Sequence, residues 1–181
     1  MPELRLERAD ILRLLEGLGA KLELLNETEQ VYVAGGAAMV LLYGRASATA
    51  DVDTVVRRDG HLVRLADEVA VELGMVPGWL TTSVRPFVPS RHDDEAVTYV
   101  FGGLTVRLAS ERPMLAMKMR AMRVKDFEDI AILINRLRLD SEEEVADVVE
   151  EFFDEDSVPP EHRDDTLLAA QRMLRLARAR R

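Results

Sequence analysis

The segment from residue 31 to residue 56, VYVAGGAAMVLLYGRASATADVDTVV, constrains the fold more than any other part of the chain. A short apolar run, Val31 to Ala34, predicts a buried strand that ends at Gly35-Gly36. The run AAMVLLYG then predicts a helix that stops at Gly44. A second strand is predicted from Asp51 to Val56, so strand, glycine turn, helix and strand follow one another within a few residues.

The remaining elements are read from the spacing of apolar residues. An amphipathic helix is predicted from Leu4 to Leu25, with a break near Gly17 and Gly19, and another helix over 60–73. Residues 75–94 read as loops, and AVTYVFGGLTVRLAS predicts two strands joined by a two-residue turn at Gly102-Gly103. From residue 110 onward only helices are predicted, at about 113–122, 125–138, 141–154 and 161–179.

This order of elements predicts an α+β fold. Strands and helices are mixed in residues 1–109, and residues 110–181 are helical, so we expect an α/β core followed by a helical C-terminal subdomain. A chain of 181 residues of which 48% are hydrophobic is long and apolar enough for one substantial core.

Composition excludes several kinds of site. The chain has no cysteine, so disulfides, thiolate zinc sites and a thiol nucleophile are excluded, and its three histidines are scattered through polar stretches. No apolar run approaches the roughly 20 residues that span a bilayer, and the N-terminus MPELRLERAD is too charged for a signal peptide. We therefore expect a cytoplasmic protein without a membrane partner.

Charge is distributed unevenly along the chain. The formal net charge is −9, residues 140–165 are strongly acidic, and the last ten residues, RMLRLARARR, contain five arginines. A net negative charge argues against a general nucleic-acid binder. Two readings of the C-terminus stay open: a solvated acidic helix face with a frayed basic tail, or a basic tail that contacts RNA or an acidic partner.

Asp51 and Asp53 lie two residues apart in the second predicted strand. Side chains alternate across a strand, so both carboxylates point to one face, with Cα atoms about 6.5–7 Å apart, while Val52 points to the other. Two carboxylates this close repel each other unless a cation lies between them, and oxygen ligands suit Mg²⁺ or Mn²⁺. An edge strand or a turn cap would also explain the pair.

Gly35-Gly36 lies between a predicted strand and a predicted helix. Such a turn presents backbone N–H groups and the positive end of a helix, and glycine lets a phosphate approach because it has no Cβ. A tight strand-to-helix turn without a ligand is the alternative. Together with the aspartate pair, the glycines predict part of a nucleoside-triphosphate site.

Two motifs together resemble the nucleotidyltransferase superfamily. The first is Gly35-Gly36 followed by Arg45, Thr49 and Asp51-Val52-Asp53. The second is the helix Met114 to Ala121, which contains Lys118, followed by Lys125-Asp126-Phe127-Glu128-Asp129-Ile130. Over residues 30–135 the chain is similar to the AbiEii/MenT-type group of bacterial toxin-related nucleotidyltransferases. The resemblance implies a small mixed sheet flanked by helices, and Mg²⁺-dependent transfer of a nucleotide from an NTP to an acceptor.

The resemblance also implies roles for individual residues. Gly35 and Gly36 would hold the triphosphate, with Arg45 and Thr49 beside it, and Asp51 and Asp53 would hold the metal. Lys118 would meet a phosphate, Asp126 would orient Lys118 or activate the acceptor, and Asp129 is a weaker candidate one helical turn further on. The predicted strand Leu104 to Leu108 carries Thr105 and Arg107 on one face but no acid. Two explanations stay open: Asp126 replaces a third strand carboxylate, as the toxin-related group implies, or the metal is bound weakly. Arg107 would instead contact a phosphate.

Without the resemblance, the second motif has a simpler explanation. Lys118 is then a lysine that snorkels from a half-buried helix, and Asp126 starts the following helix.

Three functions stay open at this stage. The first is an enzyme that transfers a nucleotide to the 3′ end of a tRNA or to a protein hydroxyl, as the toxin of a pair with an antitoxin partner. The second is a catalytically silent protein of the same fold that binds a nucleotide or a partner. The third is a nucleotidyltransferase for a small cationic molecule of the aminoglycoside type, which an acidic surface would suit.

Overall fold

The structure, a computed structural model, describes residues 5–56, 59–82, 84, 87–153, 157 and 162–180, and for Asp59 the backbone alone. The α-helices in these ranges are α1 (Arg8–Leu24), α2 (Gly35–Leu42), α3 (Asp59–Glu72), α4 (Glu111–Ala121), α5 (Phe127–Leu137), α6 (Glu142–Glu150) and α7 (Arg163–Arg178), and a short 3₁₀ helix (Val124–Asp126) precedes α5. The strands are β1 (Glu29–Val33), β2 (Val52–Val55), β3 (Leu80–Thr81), β4 (Val97–Phe101) and β5 (Leu104–Leu108). The α+β class is confirmed. No helix among the described residues combines the length and the apolar character needed to cross a bilayer.

The chain divides into two compact units. The first comprises Met1–Pro86 and Glu95–Ala109, and the second comprises Phe87–Asp94 and Ser110–Arg181. All five strands belong to the first unit, and α4 to α7 belong to the second.

The first unit contains a mixed five-stranded sheet in the order β3-β2-β1-β5-β4. β1 is parallel to β5 and antiparallel to β2, β2 is parallel to β3, and β4 is antiparallel to β5. The hairpin predicted between the last two strands is confirmed, because Phe101 pairs with Leu104 across Gly102-Gly103. The two-residue strand β3 was not predicted, since it lies in the stretch 75–94 that the sequence marks as loops.

The two faces of this sheet differ in character. One face contributes Val31, Val33, Val52 and Val106 to the hydrophobic core, where they join apolar side chains of α1 and α3, and Trp79. The other face, here called the outer face, carries half-buried or exposed side chains: Gln30, Tyr32, Asp53, Val55, Thr105 and Arg107. This division places the candidate polar residues of the sheet on one side of it.

The predicted break in α1 is wrong. The helix runs without interruption from Arg8 to Leu24, and Gly19 is one of its buried residues. A Cβ atom at Gly19 would overlap the backbone carbonyl group of Phe101, and the amide of Gly103 donates to the carbonyl oxygen of Gly19 at 3.0 Å. Gly19 therefore serves the close approach of the helix to the β4–β5 turn rather than a bend in the helix.

The second unit contains α4 to α7, which lie where the sequence predicts helices after residue 110. α6 begins at a capping box, in which Ser141 and Glu144 each accept a hydrogen bond from the other's backbone amide. α7 is a packed helix that buries Ala170, Met173, Leu174 and Ala177. The reading of the C-terminus as a frayed tail is therefore wrong as far as Arg178.

Candidate functional site

Gly35 and Gly36 form the first turn of α2, directly after β1. Gly35 has a φ of +67°, in the left-handed region that favours glycine. A Cβ atom at Gly35 would lie 2.9 Å from Oδ2 of Asp53, and one at Gly36 would overlap the hydroxyl oxygen of Thr49. The missing side chains thus let the start of α2 lie directly against Asp53 and Thr49.

Asp53 projects from β2, and one of its carboxylate oxygens is held by the neighbouring strand. Oδ1 accepts a hydrogen bond from the Thr81 hydroxyl at 2.7 Å. The backbone is fixed as well, because the amide of Ala34 donates to the carbonyl oxygen of Asp53 at 3.1 Å. Thr81 was missed from the sequence, since a two-residue strand has no periodic signal.

Asp51, Thr49 and Arg45 belong to the segment between α2 and β2. Asp51 is half-buried, Val52 is buried and Asp53 is half-buried, which is the alternation expected of two carboxylates on one side of a strand. The hydroxyl of buried Thr49 donates to the backbone carbonyl of Asp51 at 3.1 Å. The Arg45 guanidinium lies 3.3 Å from the position of a Cβ at Gly36. The first motif therefore assembles within the first unit.

The sheet register shows which residue lies where a third strand carboxylate would be expected. Val33 pairs with Leu108 on β5 and with Thr54 on β2. Continued by one residue, this register places Ala34 between Asp53 and Ala109. The residue level with Asp53 is thus Ala109, directly after β5, while Arg107 lies two residues earlier on the outer face, opposite Tyr32.

The ligand atoms of this site are of the type that Mg²⁺ or Mn²⁺ prefers. Asp51 and Asp53 supply carboxylate oxygens, and no cluster of three or more His, Asp or Glu side chains able to hold a metal occurs among the described residues. Mg²⁺ keeps several of its waters and is commonly bound by one or two carboxylates together with substrate phosphates. Two aspartates beside a glycine turn fit that mode and not a closed metal cage.

Lys118, Asp126 and Asp129 form a buried ion cluster in the second unit. Nζ of Lys118 lies 2.8 Å from Oδ1 of Asp126 and 2.8 Å from Oδ2 of Asp129, and all three side chains are at least 96% buried. Nε of Arg123 donates to the other oxygen of Asp126 at 2.6 Å. Asp129, the weaker candidate in the sequence, contacts Lys118 as closely as Asp126 does.

The electrostatic surroundings of Asp126 favour its ionised form. Burial raises the pKa of Asp126, but the Lys118 ammonium and the Arg123 guanidinium outweigh it and hold that pKa below its usual range. The ammonium has three N–H donors, and the two carboxylates engage it from two directions. The geometry agrees with a role of Asp126 in orienting Lys118.

The site residues predicted from the sequence thus fall into two groups. Gly35, Gly36, Arg45, Thr49, Asp51, Asp53 and Arg107 belong to the first unit, and Lys118 and Asp126 belong to the second. Their combination in one site stays a prediction.

A scan against family models and searches of curated proteins and of solved structures found no match for this chain. The resemblance to nucleotidyltransferases therefore rests on the two sequence motifs and stays a prediction.

Proposed function

We propose that this protein is a Mg²⁺- or Mn²⁺-dependent nucleotidyltransferase. The observation that carries the proposal is the contact between the glycine turn and Asp53. A phosphate-binding helix start and a carboxylate suited to a divalent cation lie side by side, with Oδ2 of Asp53 2.9 Å from the Cβ position of Gly35.

The proposed reaction needs three things from the chain. The backbone at Gly35 and Gly36 binds the triphosphate, and Arg45 adds positive charge beside it. Asp51 and Asp53 hold the divalent cation, which when bound neutralises the charge that develops on the phosphates. An acceptor hydroxyl forms a bond to the α-phosphorus, the bond to pyrophosphate breaks, and the hydroxyl proton passes to a base. Acting as this base is one of the two roles that the resemblance implies for Asp126, and orienting Lys118 is the other.

The acceptor classes follow from the same resemblance. We propose the 3′ end of a tRNA or a protein hydroxyl, in a toxin whose partner is an antitoxin. In this setting Lys118 and Arg107 would contact phosphates.

One observation favours a second function, a catalytically silent nucleotide-binding protein of this fold. The residue level with Asp53 is Ala109, directly after β5. It cannot supply the third carboxylate that many polymerase-like nucleotidyltransferases use. Such a protein would bind Mg²⁺–NTP without transferring the nucleotide.

Incubation with each radiolabelled NTP, Mg²⁺ and either total tRNA or cell lysate tests the proposal. We expect label on an acceptor, and a loss of at least about a hundredfold in Asp53→Asn, because preorganised charge at a phosphoryl-transfer site contributes several kcal/mol. Glu16→Gln, which removes an exposed carboxylate from α1, is the control and should transfer normally. Chelator-sensitive NTP binding without transfer would favour the silent protein, and absence of both would exclude both functions.

A further inference from the structure

The outer face of the sheet carries a broad groove beyond the proposed phosphate and metal residues. Its lining includes Thr28, Gln30, Tyr32, Val55 and Thr105. Tyr32 is directly opposite Val55 on β2, and Gln30 is directly opposite Thr105 on β5. The groove is therefore built from two successive rows of side chains that cross neighbouring strands.

The register places this groove in line with Asp53. Val55 follows Asp53 by two residues on the same face of β2, a separation of about 6.5–7 Å along the strand. The row of Gln30 and Thr105 lies a further two residues along β1 and β5. A molecule whose phosphates lie at the start of α2 would extend its other end over Tyr32 and then toward Gln30.

The side chains of the groove suit a flat, uncharged heterocycle. Tyr32 offers an aromatic ring on which a base can stack, and Val55 beside it is apolar. The Gln30 amide and the Thr105 hydroxyl can each donate and accept hydrogen bonds, which is what the edge of a base requires. Glu29 also lines the groove, and its carboxylate disfavours a second phosphate or a nucleic-acid backbone there.

We propose that this groove binds the nucleobase of the NTP, with Tyr32 as the stacking residue and Gln30 and Thr105 as the residues that distinguish one base from another. The proposal rests on the proposed function, because the phosphate end of the ligand is placed at Gly35, Gly36 and Asp53. It adds a specificity site that the sequence motifs do not contain.

Calorimetry with Mg²⁺ and five ligands separates the two ends of the site. Pyrophosphate probes the phosphate end alone, and ATP, GTP, CTP and UTP probe both ends. The variants are Tyr32→Ala, Tyr32→Phe and Gln30→Ala. Thr98→Ala is the control, since Thr98 lies on the same face opposite Arg107, and thermal melts show that each variant is folded.

We expect Tyr32→Ala to weaken the best NTP about five- to 150-fold and to leave pyrophosphate unchanged, because each stacked base contributes that much. Tyr32→Phe should keep the wild-type affinity, since it keeps the ring. Gln30→Ala should reduce the differences among the four NTPs, and Thr98→Ala should change nothing.

Two results would overturn the inference. If the variants bind every NTP as the wild type does, or lose pyrophosphate and NTPs equally, the base does not lie in this groove, although the proposed function stands. If the wild type binds neither pyrophosphate nor any NTP, both the proposed function and the inference are wrong.

Discussion

The two carboxylate oxygens of Asp53 lie in different surroundings. Oδ1 accepts from the Thr81 hydroxyl at 2.7 Å, whereas Oδ2 lies beside Gly35 at the positive end of α2. A negative charge at a helix N-terminus stabilises a protein by about 0.3–1 kcal/mol. Asp53 therefore contributes to the fold in addition to its proposed role with the metal, which the spacing of the two aspartates does not reveal.

Replacing each aspartate by asparagine should separate these roles. Without ligand, Asp53→Asn should melt about 2–4 °C lower, because it removes up to about 1 kcal/mol of charge–helix stabilisation and leaves the hydrogen bond from Thr81 without the help of a charge. Asp51→Asn should melt at the wild-type temperature or slightly higher, since it removes repulsion between neighbouring carboxylates. Both should lose the stabilisation by Mg²⁺–NTP. Thermal melts with and without ligand measure this, and a larger ligand-free loss in Asp51→Asn would make Asp51 the structural residue.

Because of Asp126, the free energy of unfolding of the second unit should fall at low pH. Its pKa is lowered in the folded protein, so its stabilising contribution is present above the unfolded pKa of about 3.9 and is lost as pH falls through the folded pKa. Urea unfolding between pH 5 and pH 3 should show a smaller loss of unfolding free energy in Asp126→Asn than in the wild type. Asp164→Asn removes an exposed carboxylate of α7 and should behave as the wild type. Parallel curves for wild type and Asp126→Asn would contradict the assignment.

At the level of elements, α1 and the β4–β5 hairpin are joined at glycine positions. The amide of Gly103 donates to the carbonyl oxygen of Gly19, and the carbonyl oxygen of Gly103 accepts from the amide of Glu29 at 2.9 Å. The turn is thereby tied to α1 on one side and to the start of β1 on the other.

Glycine-to-alanine changes in two helices should therefore have opposite signs. Gly19→Ala should destabilise by about 1–3 kcal/mol or more, because the new methyl group meets the backbone of Phe101, which cannot rotate away. Gly60→Ala in α3 meets nothing within 4 Å and should stabilise by up to about 1 kcal/mol. Denaturant unfolding of both variants measures this. An unchanged or raised midpoint for Gly19→Ala would show that the helix and the turn can separate at little cost.

At the level of the whole molecule, three of the five arginines near the C-terminus make contacts within the second unit. Arg172 stacks over Phe127 with its guanidinium carbon 4.6 Å from the ring centroid, Arg178 donates to the carbonyl oxygen of Asp140 at 2.6 Å, and Arg180 pairs with Glu128 at 2.8 Å. These contacts favour packing over the role of a basic arm in a protein of net charge −9.

An RNA contact at α7 should be tested by charge changes rather than by truncation. Removing residues 172–181 would also remove buried Met173, Leu174 and Ala177, so we expect that truncation to destabilise the helical unit. If RNA is the acceptor and α7 binds it, Arg175→Gln should reduce the slope of log K against log salt by about 0.7–0.9 for the lost phosphate contact. Arg13→Gln, an exposed change on α1, is the control. Equal slopes in all three proteins would remove α7 from the RNA interface.

Local patterns in the sequence determined the class of the fold and most of its elements. The period of apolar residues located α1 and α3 to α7, and the glycine pair between two alternating runs located the hairpin. Gly35 and Asp53, which the sequence places in one motif, lie side by side in the structure. Each of these signals lies within a few consecutive residues or within one helical or strand period, so the chain carries them without reference to its tertiary neighbours.

Only the tertiary structure decided what depends on contacts between distant segments. Gly19 does not break α1, because its neighbour is the backbone of Phe101, which lies more than 80 residues later in the chain. Thr81 supports Asp53 from a strand of two residues that pairing with β2 maintains, and Asp129 joins Lys118 because a helical turn brings it level with Asp126. In each case the role of the residue depends on a contact that only the folded chain brings about, so the residue's own sequence neighbours do not reveal it.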